Sequence, residues 1–372
     1  MLKVGLMTCY MDNFGACLQA YALQTVVTNL GCDCEIIKYT PIKSLKEYGV
    51  LLSSVRWVRK RIKAINNMAY RYENYRHPKF KAFRKKYLKF SKKNFLTEIS
   101  LYKKTPQYDI YIVGSDQIWN PNLFGGKNNK AYFLDFVPEN AKRIAYAPSI
   151  GTSFISSECA DEMAKFLEKF NAVSVREIDG KSIIDKVSDC NCRVVLDPTL
   201  LIEMQQWEKM IGKRIISGDY IFVYLFGGRD YEREFIEYVN RSLNLKVVTI
   251  PFHDKEYNSN YTKLKKAGPI EFLNMIKYAS LVITDSFHAT AFSLNMNVPF
   301  YTLLRNSKND KNNMNSRIIS ILSMVGKQDR IIYGVDSFPE NIILDLNFTF
   351  VNNKISELRK EGIGFLMENI RD

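Results

Sequence analysis

The chain has 372 residues, 46% of them hydrophobic, enough apolar material for two domains of ordinary size, each with its own core. No run approaches the roughly 18 to 20 consecutive apolar residues of a membrane-spanning helix, and the opening MLKVGLMTCY reads as a strand rather than a cleavable signal, so the expected location is the cytoplasm. The formal net charge of +14 is concentrated: Arg56 to Lys93 holds fifteen Lys and Arg against one acid, Glu73, and the rest of the chain balances at 38 of each sign.

In chain order, KVGLMTCY is an apolar strand, MDNFGA is turn chemistry, and CLQAYALQTVVTNL has helical spacing closed by Gly31. CDCEIIKYT then reads as a second strand. A β-α-β opening of this kind predicts a parallel sheet. The basic stretch follows, with Trp57, Ile62, Tyr70, Phe80 and Phe83 interleaved among its charges. That is the composition of basic amphipathic helices, which attract acidic lipid headgroups, diphosphate-linked substrates or nucleic acid. A solvated helix face over a core reads the same way.

Beyond it, YDIYIVGSDQIWNP, KRIAYAPSIG, NAVSVRE and CRVVLDPTLL are strands ending in polar clusters. The pattern restarts after LDPTLLIEMQQWEKMI. GDYIFVYLFGG, LKVVTIPF and LVITDS are strands, and YEREFIEYVNRSLN and GPIEFLNMIKYAS are helices, the latter with Pro269 in its first turn. The boundary falls near residues 203–217. The expected division is an N-terminal domain over 1–204 carrying a basic helical insert at 44–98, a C-terminal domain over 205–345, and a terminal helix at 346–372 packing back on the first domain. The fold class is α/β, with two Rossmann-like domains of parallel sheet facing across a cleft.

Seven cysteines, an odd number spread through the chain, fit reduced buried thiols better than a disulfide framework. The pairs CDC at 32–34 and CNC at 190–192 lack the spacing and neighbouring His of zinc sites, so no metal is expected.

Ligands of open parallel sheets bind beyond the carboxyl ends of the strands, and the candidate residues are chosen there. His288 stands at the start of a helix after LVIT, with Thr284, Asp285 and Ser286 just ahead of it. The helix N-terminus favours anions, Ser286 or Asp285 can cap it, and an imidazole can serve as an acid near neutral pH. Arg176 follows the strand NAVSV, where a guanidinium takes a carboxylate or phosphate in two-pronged fashion, or pairs with Glu177. Asn13 and Gly15 lie between strand and helix, where glycine lets a ligand approach the backbone. Asp116 and Gln117 can bond sugar hydroxyls or supply a base, and Trp119 offers a stacking face. Neither a G-x-G-x-x-G nor a G-x-x-x-x-G-K-[ST] pattern occurs, which disfavours a bound dinucleotide or a P-loop.

Taken in order, DNFGACLQAYALQ (12–24), YDIYIVGSDQIWNP (108–121), YFLDFV (132–137) with KRIAYAPSIG, SVRE (174–177), VLDPTLL (195–201), VITDSFHATAFS (282–293) and NSRIISIL (315–322) resemble the polysaccharide pyruvyl transferase family. The resemblance implies a GT-B-like pair of domains without metal or cofactor. It implies phosphoenolpyruvate as donor substrate and, as acceptor, a sugar on a growing bacterial surface glycan, often lipid-linked. The product would be a pyruvate ketal across two hydroxyls. His288 and Arg176 match the family's donor-binding histidine and arginine, and Ala289 stands where a glycine usually follows that histidine. On this reading the acid is His288, and Asp116 or Asp285 takes the hydroxyl protons. The basic insert would meet an anionic membrane surface, and nucleic acid is not expected. Two other functions share these features: a GT-B glycosyltransferase using a nucleotide-sugar, and a basic nucleic-acid or membrane-binding protein with a degenerate cleft.

Overall fold

A computed structural model describes residues 1–41, 68–252, 256, 259–306 and 314–371. The part of the basic insert at 44–67 lies outside the described residues. The first sheet comprises β1 (Lys3–Met7), β2 (Asp33–Tyr39), β3 (Phe90–Phe95), β4 (Ile110–Val113), β5 (Lys142–Ala145), β6 (Ala172–Val175) and β7 (Cys192–Val194), in the order β3-β2-β1-β4-β5-β6-β7. The second comprises β8 (Tyr220–Tyr224), β9 (Lys246–Thr249), β10 (Thr262–Lys263), β11 (Leu281–Thr284), β12 (Phe300–Leu303) and β13 (Ile331–Ile332), in the order β10-β9-β8-β11-β12-β13. Every adjacent pair is parallel. Each sheet therefore reverses its strand order once, between β1 and β4 and between β8 and β11, and those are the crevices where ligands sit in such folds. The central strands IYIV, YIFVY and LVIT are apolar throughout because both faces are covered.

The helices that place the site are α1 (Phe14–Asn29), α2 (Met68–Tyr87), α3 (Pro198–Leu201), α4 (Pro269–Lys277), α5 (Phe287–Asn295), α6 (Ser316–Met324) and α7 (Thr349–Arg371). α1 is apolar on nearly every side because it lies in the interface: Leu18, Ala20, Ala22 and Leu23 are fully buried. Its Phe14 stacks on Phe272 of α4, with ring centroids 4.8 Å apart and planes 5° from parallel. Tyr21 of α1 meets Trp207 at 5.5 Å, and Trp207 meets Phe292 of α5 at 5.1 Å. One continuous apolar core thus joins the two domains. α7 returns to the first domain, where Phe365 packs on Tyr146 and Arg359 Nε donates to the Leu200 carbonyl at 2.8 Å.

The basic stretch is not helical throughout. Residues 90–95 form β3 at the sheet edge, with Phe95 buried and Lys92, Lys93 and Asn94 exposed. Lysines on an edge strand block further pairing, and they conceal the strand's alternation in a charge count. Three described charges of α2 meet partners within the chain, while Lys81, Lys85 and Lys86 are exposed. Arg84 pairs with Asp12 at 2.5 Å, Lys79 with Glu271 at 2.5 Å, and the buried Arg76 donates to the Pro251 carbonyl at 2.6 Å. Phe80 and Phe83 enter the shared core. α2 therefore ties the β1–α1 loop to the second domain. No helix among the described residues is long and apolar enough to cross a membrane.

Candidate active site

Both switch points open onto one cavity of about 430 Å3. The first domain contributes Asn13 and Gly15 from the start of α1, Asp116 and Gln117 from the loop after β4, and the rings of Tyr39, Phe124 and Tyr132. The second contributes Ser286, Phe287 and His288 at the start of α5, with Arg305 and Arg317. Both arginines thus stand on the second domain's side, and aromatic rings line both sides.

Local chemistry explains the two helix starts. Asn13 caps α1 by accepting from the Ala16 N–H at 3.1 Å, and Ser286 caps α5 by accepting from the Ala289 N–H at 3.4 Å. Gly15 lets those two first turns meet: a Cβ there would stand 2.0 Å from His288 Nδ1. Asp116 takes a left-handed conformation (φ 71°), one that aspartate tolerates better than most residues.

Asp197 lies beneath the cavity floor, just ahead of α3. Its Oδ2 accepts from Arg176 Nη1 at 2.7 Å and Ser115 Oγ at 2.9 Å, and its Oδ1 accepts from the Thr199 N–H and hydroxyl at 3.0 and 2.7 Å. His288 Nε2 is 3.9 Å from the same Oδ2. Burial alone would raise this carboxyl, but Arg176 first, then His288 and Thr199, hold it at about 2. Burial drives the His288 imidazole below its usual value, and Asp197 and Asp116 only partly oppose that shift. The surroundings thus favour the neutral imidazole.

Arg176 is placed deeper than its position at a strand end predicts. Its side chain is 1% exposed, packed 4.2 Å over the Phe287 ring, with Asp116 at 4.0 Å and Glu177 at 3.9 Å. It supports the floor through Asp197, and the cations that face the cavity are Arg305 and Arg317. Arg305 Nε pairs with Asp285 at 2.9 Å. Arg317 is 6% exposed and its Nε has no hydrogen-bond partner. Burial, with repulsion from Arg176 and Arg305, pushes its guanidinium down to about 9.

Of the other expected residues, Gln117 accepts from Asn120 Nδ2 at 2.9 Å at the cavity wall. Thr284 Oγ1 donates to the Tyr224 carbonyl and accepts from the Ser286 N–H, which fixes the turn. Asp285 is fully engaged: its carboxylate accepts from the Phe226 and Gly227 N–H groups at 2.9 and 2.6 Å as well as from Arg305. Trp119 corrects the sequence expectation. It is 1% exposed, stacked on Phe133 at 4.8 Å, and its Nε1 donates to the Tyr132 carbonyl. A buried indole needs one acceptor and apolar neighbours, and the core supplies both, so no face remains for a ligand.

A family model described as polysaccharide pyruvyl transferase matches residues 13–307. No curated protein matches the sequence. Among solved structures, the chain is similar to UDP-N-acetylglucosamine 2-epimerase from Rickettsia bellii, at 10% identity over 98% of each chain and a TM-score of 0.50. It is also similar to the Methanocaldococcus jannaschii UDP-GlcNAc 2-epimerase in complex with UDP-GlcNAc and UDP, at 14% identity over 96% of this chain and 99% of that one, TM-score 0.49. A third is E. coli heptosyltransferase WaaC with ADP-2-deoxy-2-fluoro heptose, at 11% identity over 85% and 96%, TM-score 0.38. At these identities the likeness concerns the fold, two parallel-sheet α/β domains of GT-B kind.

Proposed function

The chain belongs to the polysaccharide pyruvyl transferase family, and from that premise we propose that it transfers pyruvate from phosphoenolpyruvate to a sugar of a bacterial surface glycan, closing a ketal across two hydroxyls. The observation that carries this reading is Arg317, largely buried and with no hydrogen-bond partner at Nε, facing a cavity that also holds His288. A guanidinium held out of water without a counter-ion is costly unless an anion completes it. A small dianion with carboxylate and phosphate suits Arg317 and Arg305 together with the N–H groups at the start of α5.

The chemistry follows from these placements. A bound dianion raises the neighbouring imidazole, so His288 takes up a proton as the donor enters and delivers it to the methylene carbon. A sugar hydroxyl adds at the resulting cationic C2, with Asp116 taking its proton. Phosphate then leaves, regenerating the cation at C2, and a second hydroxyl closes the ketal and releases its own proton. Asp285, spent on two backbone N–H groups and Arg305, serves this scheme by holding Arg305 rather than by accepting protons. The rings of Tyr39, Phe124 and Tyr132 suit the apolar face of a sugar ring.

The test is incubation with phosphoenolpyruvate and a panel of galactosides and mannosides, free and lipid-linked. The expected outcome is a pyruvyl ketal mass gain matched by phosphate release, with His288→Ala reducing turnover at least about a hundredfold in a folded protein. Release of a nucleoside diphosphate from a nucleotide-sugar, with phosphoenolpyruvate untouched, would overturn the proposal.

A further inference from the structure

The two nitrogens of His288 face different surroundings. Nε2 is buried, has no hydrogen-bond partner, and lies 3.9 Å from Asp197 Oδ2. Nδ1 lies against Gly15 at the first turn of α1, and both residues line the cavity. Asp197 itself cannot move far, because Arg176, Ser115 and both donors of Thr199 fix its two oxygens. The carboxylate therefore belongs to the first domain and the imidazole to the second, and they meet across the interface.

We infer that Asp197 is the positioning residue of this site: it keeps a hydrogen on His288 Nε2 and leaves Nδ1 as the nitrogen that exchanges protons with substrate. Closing the 3.9 Å gap by about 1 Å makes an ordinary charge-assisted hydrogen bond. With Nε2–H directed at the carboxylate, Nδ1 carries a lone pair in the neutral ring and a transferable proton in the imidazolium. When that proton passes to the methylene carbon of the donor, the ring returns to the same neutral tautomer without rotating. The other charges facing the ring are Asp116 after β4, Arg176 after β6 and Arg317 on α6. Of the two acids, Asp197 is the one with an oxygen within 4 Å of a ring nitrogen. The catalytic use of Nδ1 rests on the pyruvyl-transfer reading, whereas the tautomer is a property of the protein alone.

The experiment exploits the scarcity of histidine, since the chain holds three, His77, His253 and His288. In protein labelled with 15N-histidine, a His288→Gln variant assigns the resonances, which report the protonation of each nitrogen directly. The expected result is a neutral His288 with Nε2 protonated and Nδ1 bare. In a folded Asp197→Asn variant, the titration midpoint of His288 should fall by about one unit and the tautomers should mix. A wild-type His288 protonated on Nδ1, or an unaltered midpoint and tautomer in Asp197→Asn, overturns the inference. If Asp197→Asn does not fold, the wild-type Nε2 proton decides it: a downfield, slowly exchanging resonance of a hydrogen bonded to carboxylate upholds the inference, and one at the ordinary position overturns it. Failure to transfer pyruvate would strike the proposed function and leave this result standing.

Discussion

A Cβ on Gly15 would stand 2.0 Å from Nδ1 of His288, so the first turn of α1 and the first turn of α5 meet with no room for a methyl group. Gly15 is buried within its helix, so the requirement is close approach rather than an unusual backbone conformation. Gly15→Ala should therefore displace His288 while sparing α1, which alanine favours. The expected outcome is a loss of turnover of about a hundredfold or more, because a shifted catalytic group loses alignment. Circular dichroism and thermal melting check that the fold survives, and an active, folded Gly15→Ala would remove the constraint.

Arg317 sets stability against binding. Burial, with repulsion from Arg176 and Arg305, depresses its guanidinium well below the usual value to about 9, so at neutral pH the folded protein carries the cost of burying this charge. Arg317→Met keeps much of the side-chain volume and removes that cost. The melting temperature of the ligand-free protein should rise, by the equivalent of about 1 to 2 kcal/mol, since apolar replacement of costly buried charge is commonly stabilising. Binding should move the other way: phosphate and phosphoenolpyruvate should raise the melting temperature of the wild type and leave that of Arg317→Met nearly unchanged. Calorimetry with and without each anion measures both halves.

The cleft itself was readable from the sequence because strand ends and the turns after them are local features. Asn13, Gly15, Asp116, Gln117, Ser286 and His288 all stand at such positions, and they line one cavity. Depth was not readable. Arg176 lies at the expected edge but under the floor, because what buries it is Asp197, 21 residues on, and the ring of Phe287 from the other domain. Asp197 and Arg317 sit inside the family-like motifs VLDPTLL and NSRIISIL, yet a motif does not say which distant charge each residue faces. In the basic stretch, likewise, Arg84 finds its partner Asp12 72 residues away, while Lys81, Lys85 and Lys86 of the same helix stay exposed. Net charge in a window is blind to partners outside it.

Trp119 separates a core role from a ligand role. Stacked on Phe133 and 99% buried, it should behave as packing. Trp119→Ala should cost about 3 to 5 kcal/mol in urea unfolding. Trp119→Phe, which keeps an aromatic face against Phe133 but leaves the Tyr132 carbonyl without its donor, should cost less and leave KM for the acceptor within about twofold of wild type, a difference too small to count as a lost contact. A large rise in acceptor KM in folded Trp119→Phe would restore the stacking role expected from the sequence.

Asp197 gives the acid limit of stability a specific source. Its carboxyl ordinarily titrates at 3.8, and in the fold the attraction of Arg176, ahead of His288 and Thr199, overcomes burial and holds it at about 2. A depressed carboxyl stabilises the fold fully above its unfolded value, and the contribution drains away as pH falls from about 3.8 toward about 2. The amount at stake is on the order of 2 kcal/mol. Urea unfolding at pH 5, 3.5 and 2.5 should show little dependence down to about pH 4 from this pair and a fall below it. In Arg176→Met, where the main cation holding the carboxyl down is gone, the folded value returns toward the unfolded one and that fall should shrink or vanish, and a coincident profile for the two proteins would remove the ion pair as its cause.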